Sequence, residues 1–272
     1  ITLFSILQIY LLLKIKEIPQ YRFSLNFKSI SKQLLVLFFA GGIFIFSARG
    51  GSQLKPIKPI NAGELSVSQN TSLILNNLNL TISYGKVLCI SGSNGSGKST
   101  LIRILAGLIK ADSGDLLVDG NLINKSNSSF RRRIGVLLDS NMIYENMTVF
   151  ENLKLASALY SINDTQNTIK STSKILGISH LFDTKVKELS KGFKKRTELT
   201  KILLHQPDII LLDEPEINLD EKSVQIVKDI INTRKSKGAA ILVCTHSKLF
   251  LRDIGQEFGS IENGKIILTH SR

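Results

Sequence analysis

The stretch Gly92-Ser93-Asn94-Gly95-Ser96-Gly97-Lys98-Ser99-Thr100 constrains this chain more than any other. It fits the spacing G-x-x-x-x-G-K-[ST] with no mismatch. Lys86-Val87-Leu88-Cys89-Ile90-Ser91 ahead of it is an apolar run of strand length. Thr100-Leu101-Ile102-Arg103-Ile104-Leu105-Ala106 behind it has helical spacing. Strand, glycine-rich loop and helix in that order form a phosphate-binding loop. The glycines let successive N–H groups converge on phosphate oxygens. The helix N-terminus adds partial positive charge at the same place. Lys98 is expected to reach the outer phosphates, and the Ser99 hydroxyl to ligate Mg²⁺.

The chain after this loop alternates strands and helices. Gly114-Asp115-Leu116-Leu117-Val118-Asp119-Gly120 predicts a strand closed by an Asp-Gly turn, and residues 73–83 alternate as a strand should. Ile134-Gly135-Val136-Leu137-Leu138 predicts another strand, with the preceding triplet Arg131 to Arg133 as a solvated face. Residues 145–180 have helical spacing and enough polar character to stand off the main sheet. Asp208-Ile209-Ile210-Leu211-Leu212-Asp213-Glu214-Pro215 and Ala239-Ala240-Ile241-Leu242-Val243-Cys244-Thr245-His246 are fully apolar runs ending in polar residues. Such runs between helices indicate a mostly parallel sheet covered on both faces. Ligands of such sheets bind at the carboxyl ends of the strands. One crevice can therefore hold Ser91, Asp213 and His246.

Residues 1–63 differ from the rest. They carry eight basic side chains against the single acid Glu17, within a chain whose net charge is +13. An apolar run opens the chain, and a second spans residues 34–46, short of the ~20 residues of a spanning helix. Both have transmembrane character. A basic loop between them should be cytoplasmic by the positive-inside rule, which would put everything after the second run on the wrong side for a nucleotide enzyme. The segment Ala48-Arg49-Gly50-Gly51-Ser52-Gln53-Leu54-Lys55-Pro56-Ile57 resembles the stretch after the last membrane helix of membrane-anchored sulfatase-like enzymes; it carries no catalytic motif. This hydrophobic N-terminal extension reads either as membrane-associated or as a misjoined fragment, with the second domain expected over residues 64–272. Aromatic residues do not interleave with the basic ones, so no nucleic-acid partner is expected. Cys89 and Cys244 lie inside apolar strands and read as buried thiols of a reducing compartment.

Taken in order, the phosphate loop, Leu189-Ser190-Lys191-Gly192, the strand end Asp213-Glu214, Leu219-Asp220 and His246 resemble the ATP-binding subunit of ABC transporters. The resemblance runs from about Glu64 to the C-terminus. It implies a P-loop NTPase of α/β class, with a mostly parallel central sheet, an antiparallel β subdomain and a helical subdomain at about 140–190. It implies ATP and Mg²⁺ as ligands, bound by residues 92–100. Ser99 and Asp213 would hold the metal, with Lys98 on the phosphates. Glu214 would act as base toward water, and His246 would position that water. The resemblance further implies that Ser190, Gly192 and Asp220 serve the ATP of a second ATP-binding subunit, so that a homodimer works head to tail with a transmembrane permease at the cytoplasmic face of the membrane.

Three positions depart from the family pattern. The adenine-stacking aromatic is replaced by Gln69 or Asn70, which loosens base selection. Asp139 stands for the lid glutamine that touches Mg²⁺ or the attacking water and couples the site to the permease. The signature reads Ser-Lys-Gly-Phe, with Ser190 and Gly192 kept. The segment Tyr144-Glu145-Asn146-Met147-Thr148-Val149-Phe150-Glu151-Asn152-Leu153 resembles that of exporter subunits, among which the haem-exporter type of cytochrome c maturation also lacks the aromatic. An ABC ATPase acting on ribosomes or DNA, and a weakly catalytic nucleotide-binding regulator, are the competing readings.

Overall fold

The structure is a computed structural model that describes residues 34–39, 42–47, 60–69, 72–123, 128–139 and 142–269. The chain divides between Lys55 and Pro56 into two units, ahead of the expected boundary at Glu64. In the first unit, β1 (Leu34–Phe39) and β2 (Gly42–Ser47) pair as an antiparallel hairpin, with Phe39 opposite Gly42. The hairpin falls on the apolar run at residues 34–46. The run is rich in β-branched and aromatic residues and is broken by the Gly41-Gly42 pair, and both features disfavour a helix. Among the described residues no helix is long and apolar enough to cross a membrane. The opening apolar run lies outside the described residues.

The second unit is built on two sheets. β3 (Ile60–Gln69), β4 (Ser72–Ile82), β6 (Ser113–Val118) and β7 (Asn121–Leu122) form an antiparallel sheet in the order β4-β3-β6-β7. The larger sheet has the order β12-β11-β5-β10-β9-β8. Its members are β5 (Val87–Ser91), β8 (Ile134–Leu137), β9 (Ile209–Asp213), β10 (Ala240–Cys244), β11 (Glu257–Glu262) and β12 (Lys265–Thr269). All neighbours are parallel except the edge strand β12, which returns antiparallel on β11. β9 and β10 are buried at every position, as strands covered by helices on both faces must be.

One core lies between the two sheets. There α1 (Lys98–Leu105) buries Leu101, Ile102, Ile104 and Leu105 against Leu88, Ile90, Leu211 and Leu242. A second core covers the other face with α5 (Lys191–Leu203), α6 (Glu221–Ser236) and α7 (Lys248–Ile254). Between β7 and β8 lies α2 (Ser128–Arg133). The helical region has its own small core around α3 (Val149–Leu159) and α4 (Thr165–Ile175), formed by Val149, Leu153, Ile169, Ile178 and Val186. Thr148 and Glu151 form a reciprocal capping box at the start of α3. Within the Arg131 to Arg133 triplet, Arg131 and Arg132 are exposed, as a solvated face should be, and Arg133 differs from expectation. Arg133 pairs with Asp119 at 2.5 Å and Asp208 at 2.9 Å and hydrogen-bonds Tyr84. It ties the antiparallel sheet to the start of β9 instead of lying free in water. Its partners are distant in sequence, so no local pattern announces them.

Candidate functional site

The phosphate loop closes β5 and opens α1. Gly97 has φ +103°, and a Cβ there would meet Leu75 Cδ2 at 3.0 Å and Ile74 Cγ2 at 3.1 Å. A side-chain-bearing residue at 97 would therefore be strained and would push the loop off β4. A Cβ on Gly92 would meet Ser96 Oγ at 2.5 Å. Ser93, Asn94 and Gly95 are exposed at the rim, whereas Lys98 is buried. Its ammonium donates to the carbonyls of Gly92 (2.8 Å) and Ser93 (3.0 Å), spanning the loop it must serve. Ser96 Oγ is buried and has no hydrogen-bond partner. Ser99 and Thr100 follow on the first turn of α1.

β10 lies between β5 and β9, so the loops after these three strands are neighbours. Asp213, the last residue of β9, is 1% exposed, and neither of its carboxylate oxygens completes a hydrogen bond of ordinary geometry. Burial raises its pKa; the Ser99 hydroxyl facing it and the Lys98 charge oppose that rise. A buried acid left without donors, opposite a hydroxyl, is an oxygen-ligand set suited to Mg²⁺.

Glu214 is held at several points. Its backbone has φ +46°, a left-handed conformation that costs roughly 1 kcal/mol or more outside glycine. The surroundings enforce it: its N–H donates to Cys244 O at 2.8 Å, and the Lys195 ammonium donates to its carbonyl at 2.6 Å. Its carboxylate lies 2.5 Å from Thr245 Oγ1, 3.1 Å from His246 Nδ1 and 3.7 Å from Lys98 Nζ. Burial pushes this carboxyl up, but the hydrogen bonds of Thr245 and His246 and the charges of His246 and Lys98 outweigh it. The net pKa lies below the ordinary value. His246 is the exposed member of the group, with 55% of its side chain in solvent.

The remaining candidates lie on other edges of the unit. Ser190 caps α5 by accepting from Phe193 N at 3.4 Å, and Asp220 caps α6 by accepting from Ser223 N at 2.8 Å. Both are exposed. Gly192 lies against the next rim loop, where an added Cβ would meet Asn218 O at 3.0 Å. Asp139, after β8, is exposed, and its charge acts on Lys195, Glu198 and Asp213. The Gln69 side chain and Asn70 lie outside the described residues.

Sequence reasoning misses Lys195, Glu216 and Asn152. Lys195 is 8% exposed and sits among Asp139, Glu198, Glu216 and Asp213; burial lowers its pKa and those charges oppose the shift. Asn152 pins residues 144–148 by accepting from Tyr144 N and donating to the carbonyls of Tyr144 and Thr148. A buried polar residue inside a helix has no sequence signature other than breaking an apolar face. The two cysteines are free and buried, and burial pushes the Cys89 thiol up to about 12.

The ABC transporter family model matches residues 75–216. The chain is 31% identical over 204 residues to the lantibiotic transport ATP-binding protein SrtF of Streptococcus pyogenes, covering 75% of this chain and 87% of that protein. It is 29% identical over 209 residues to the bacitracin transport ATP-binding protein BcrA of Bacillus licheniformis, covering 76% and 68%. Among solved structures, an ATP-binding subunit of an ABC transporter superposes with a TM-score of 0.73 at 23% identity, covering 78% of this chain and 90% of that one. CbiO1 of Clostridium perfringens, part of an ABC transporter complex, superposes with a TM-score of 0.66 at 26% identity, covering 78% and 87%. Motif order, sheet topology and family match agree: the chain belongs to the ATP-binding subunits of ABC transporters, ATPases that power transport.

Proposed function

We propose that this chain binds ATP with Mg²⁺ in a head-to-tail homodimer and, by hydrolysing it, drives an export permease at the cytoplasmic face of a membrane. The observation that carries the reading is the setting of Glu214. Its carboxylate is kept ionised at the strand ends beside the phosphate loop, within reach of Lys98, Thr245 and His246. Lys98 exchanges the Gly92 and Ser93 carbonyls for phosphate oxygens of ATP. Ser99 and Asp213 hold Mg²⁺, which supplies charge neutralisation on the phosphates. Glu214 takes a proton from the attacking water, and His246 orients that water from the exposed side. Ser190, Gly192 and Asp220 serve the ATP of the second copy, as the family resemblance implies; inside the chain Ser190 and Asp220 cap helices.

Two relatives, named for lantibiotic transport and bacitracin transport, favour an antibiotic of that kind over haem as the cargo. The haem-type likeness rests only on the missing aromatic, whereas SrtF and BcrA align along most of this chain. Substitution Glu214→Gln tests the reading. It is expected to lower kcat by at least about a hundredfold, the scale of a lost general base, while an ATP-bound dimer accumulates in size-exclusion chromatography. Full turnover in that variant contradicts Glu214 as base. A parent chain that hydrolyses nothing with its permease present favours the regulator reading, and recovery on ribosomes instead of membranes favours the non-transport one.

A further inference from the structure

Thr245 is fully buried at the end of β10, and its single hydroxyl has three partners. Ser247 N donates to Thr245 Oγ1 at 3.1 Å. Glu214 Oε2 lies 2.5 Å from it, and Glu216 Oε1 is hydrogen-bonded to it as well. A threonine hydroxyl has one proton and two lone pairs. The Ser247 N–H uses one lone pair, and the proton can go to only one carboxylate. If both glutamates were ionised, the other would face a bare oxygen lone pair at hydrogen-bonding distance in a buried site. The three contacts are satisfied together only when one glutamate carries a proton and donates it to Thr245.

The surroundings decide which glutamate that is. Glu214 has Lys98 and His246 beside its carboxylate, which favour its charge. The other oxygen of Glu216, Oε2, is buried without a hydrogen-bond partner, a poor place for half of a carboxylate charge. The charged groups that act on Glu216 are Glu214 at the end of β9, which disfavours a second negative charge, and Lys195 on α5, which favours it. Lys195 is committed to the Glu214 carbonyl and shared with Asp139, Glu198 and Asp213. Burial is the largest influence on Glu216 and raises its pKa.

We propose that Glu216 is a positioning residue for the hydrolytic base: in its neutral form it donates to Thr245 Oγ1 and so turns the single Thr245 proton onto Glu214. In this arrangement the hydroxyl oxygen accepts twice, from Ser247 N and from Glu216, and donates once, to Glu214. Glu214 stays ionised with a fixed lone pair for the water proton. The proton on Glu216 is not consumed in the cycle; it sets the direction of the hydrogen-bond chain. The inference rests on Glu214 being the base.

The test is steady-state ATP hydrolysis by the full chain across about pH 6 to 9, above the ordinary carboxylate range. Glu216→Ala, Glu216→Gln and Glu214→Gln are measured beside the parent, and ATP affinity serves as the check of folding. Glu216→Ala is expected to lower kcat about tenfold or more, the scale of a hydrogen bond to a charged group, at unchanged KM for ATP. Glu216→Gln is expected to recover most of that loss, because an amide N–H donates to Thr245 Oγ1 as the neutral acid does. The parent should lose activity severalfold at the alkaline end as Glu216 ionises, and Glu216→Gln should lose that alkaline fall. Three results overturn the proposal: Glu216→Ala with parental kcat and pH profile, Glu216→Gln as poor as Glu216→Ala, or an alkaline fall unchanged in Glu216→Gln. Full turnover in Glu214→Gln instead removes the base on which the proposal rests, and so separates that failure from a failure of Glu216 alone.

Discussion

Two parts of the second unit carry the family's motif residues, and they are built on opposite terms. The wall formed by Lys98, Asp213, Glu214 and Thr245 is buried and knitted internally: carbonyls hold the ammonium, a threonine holds the carboxylate, and a second lysine holds the Glu214 backbone. The rim formed by Ser190, Gly192 and Asp220 is more open, and among the described residues the side-chain hydrogen bonds of Ser190 and Asp220 only cap the helices that follow them. Buried polar groups must be satisfied from within, and this requirement preorganises the wall before any ligand arrives. Exposed groups with little internal work are free to serve a neighbour. On the proposed reading, the difference teaches how one chain divides a shared site: the half that does chemistry is rigid and local, and the half that completes the neighbour's site is a surface.

This contrast can be broken from either side. Lys195→Met attacks the wall and should have the larger effect. It removes a charge-assisted bond to the Glu214 carbonyl and a cation shared by several acids, so stability should fall by about 2 kcal/mol and turnover about tenfold. Chemical denaturation and ATP hydrolysis read the two effects. Turnover at the parental level in a destabilised protein would mean that Lys195 is a core tether with no influence on Glu214. Ser190→Ala attacks the rim and should do less. The weak cap at 3.4 Å predicts a loss of about 0.5 kcal/mol in stability. ATP affinity of the single chain should not change, and turnover should fall a few-fold with steeper dependence on protein concentration. A loss of single-chain ATP affinity would place Ser190 on the cis side and erase the distinction.

Sequence legibility follows the same division. β9 and β10 are legible because strands buried on both faces leave unbroken apolar runs, and the phosphate loop is legible because its backbone shape demands glycines at set positions. β3 is not, since shifts in pairing between Ala62 and Leu65, and again before Ser68, break its alternation. The β11–β12 hairpin does have a signal, the Asn263-Gly264 pair, and both residues adopt positive φ. The apolar run at 34–46 shows why short runs are ambiguous, since periodicity alone does not separate a strand pair from a helix. Within the site, the motif spacing points to Lys98, Asp213, Glu214 and His246. Lys195, Glu216 and Arg133 depend on partners brought together only by the fold, and their own neighbours in sequence say nothing of burial. Cross-chain roles for Ser190, Gly192 and Asp220 have no counterpart inside one chain and rest on the family resemblance.

The central claim is that each ATP is held by the wall of one copy and the rim of another. Mixing Lys98→Ala with Ser190→Arg tests it most directly. Each variant alone should be inactive, the first without ATP binding and the second with it, and both should unfold thermally as single folded species. The mixed dimer contains one undamaged composite site, so ATP hydrolysis should reappear on mixing and peak near equal amounts. A mixture as inactive as its parts, from two folded variants that associate, contradicts the shared site, and so does full activity of Ser190→Arg alone.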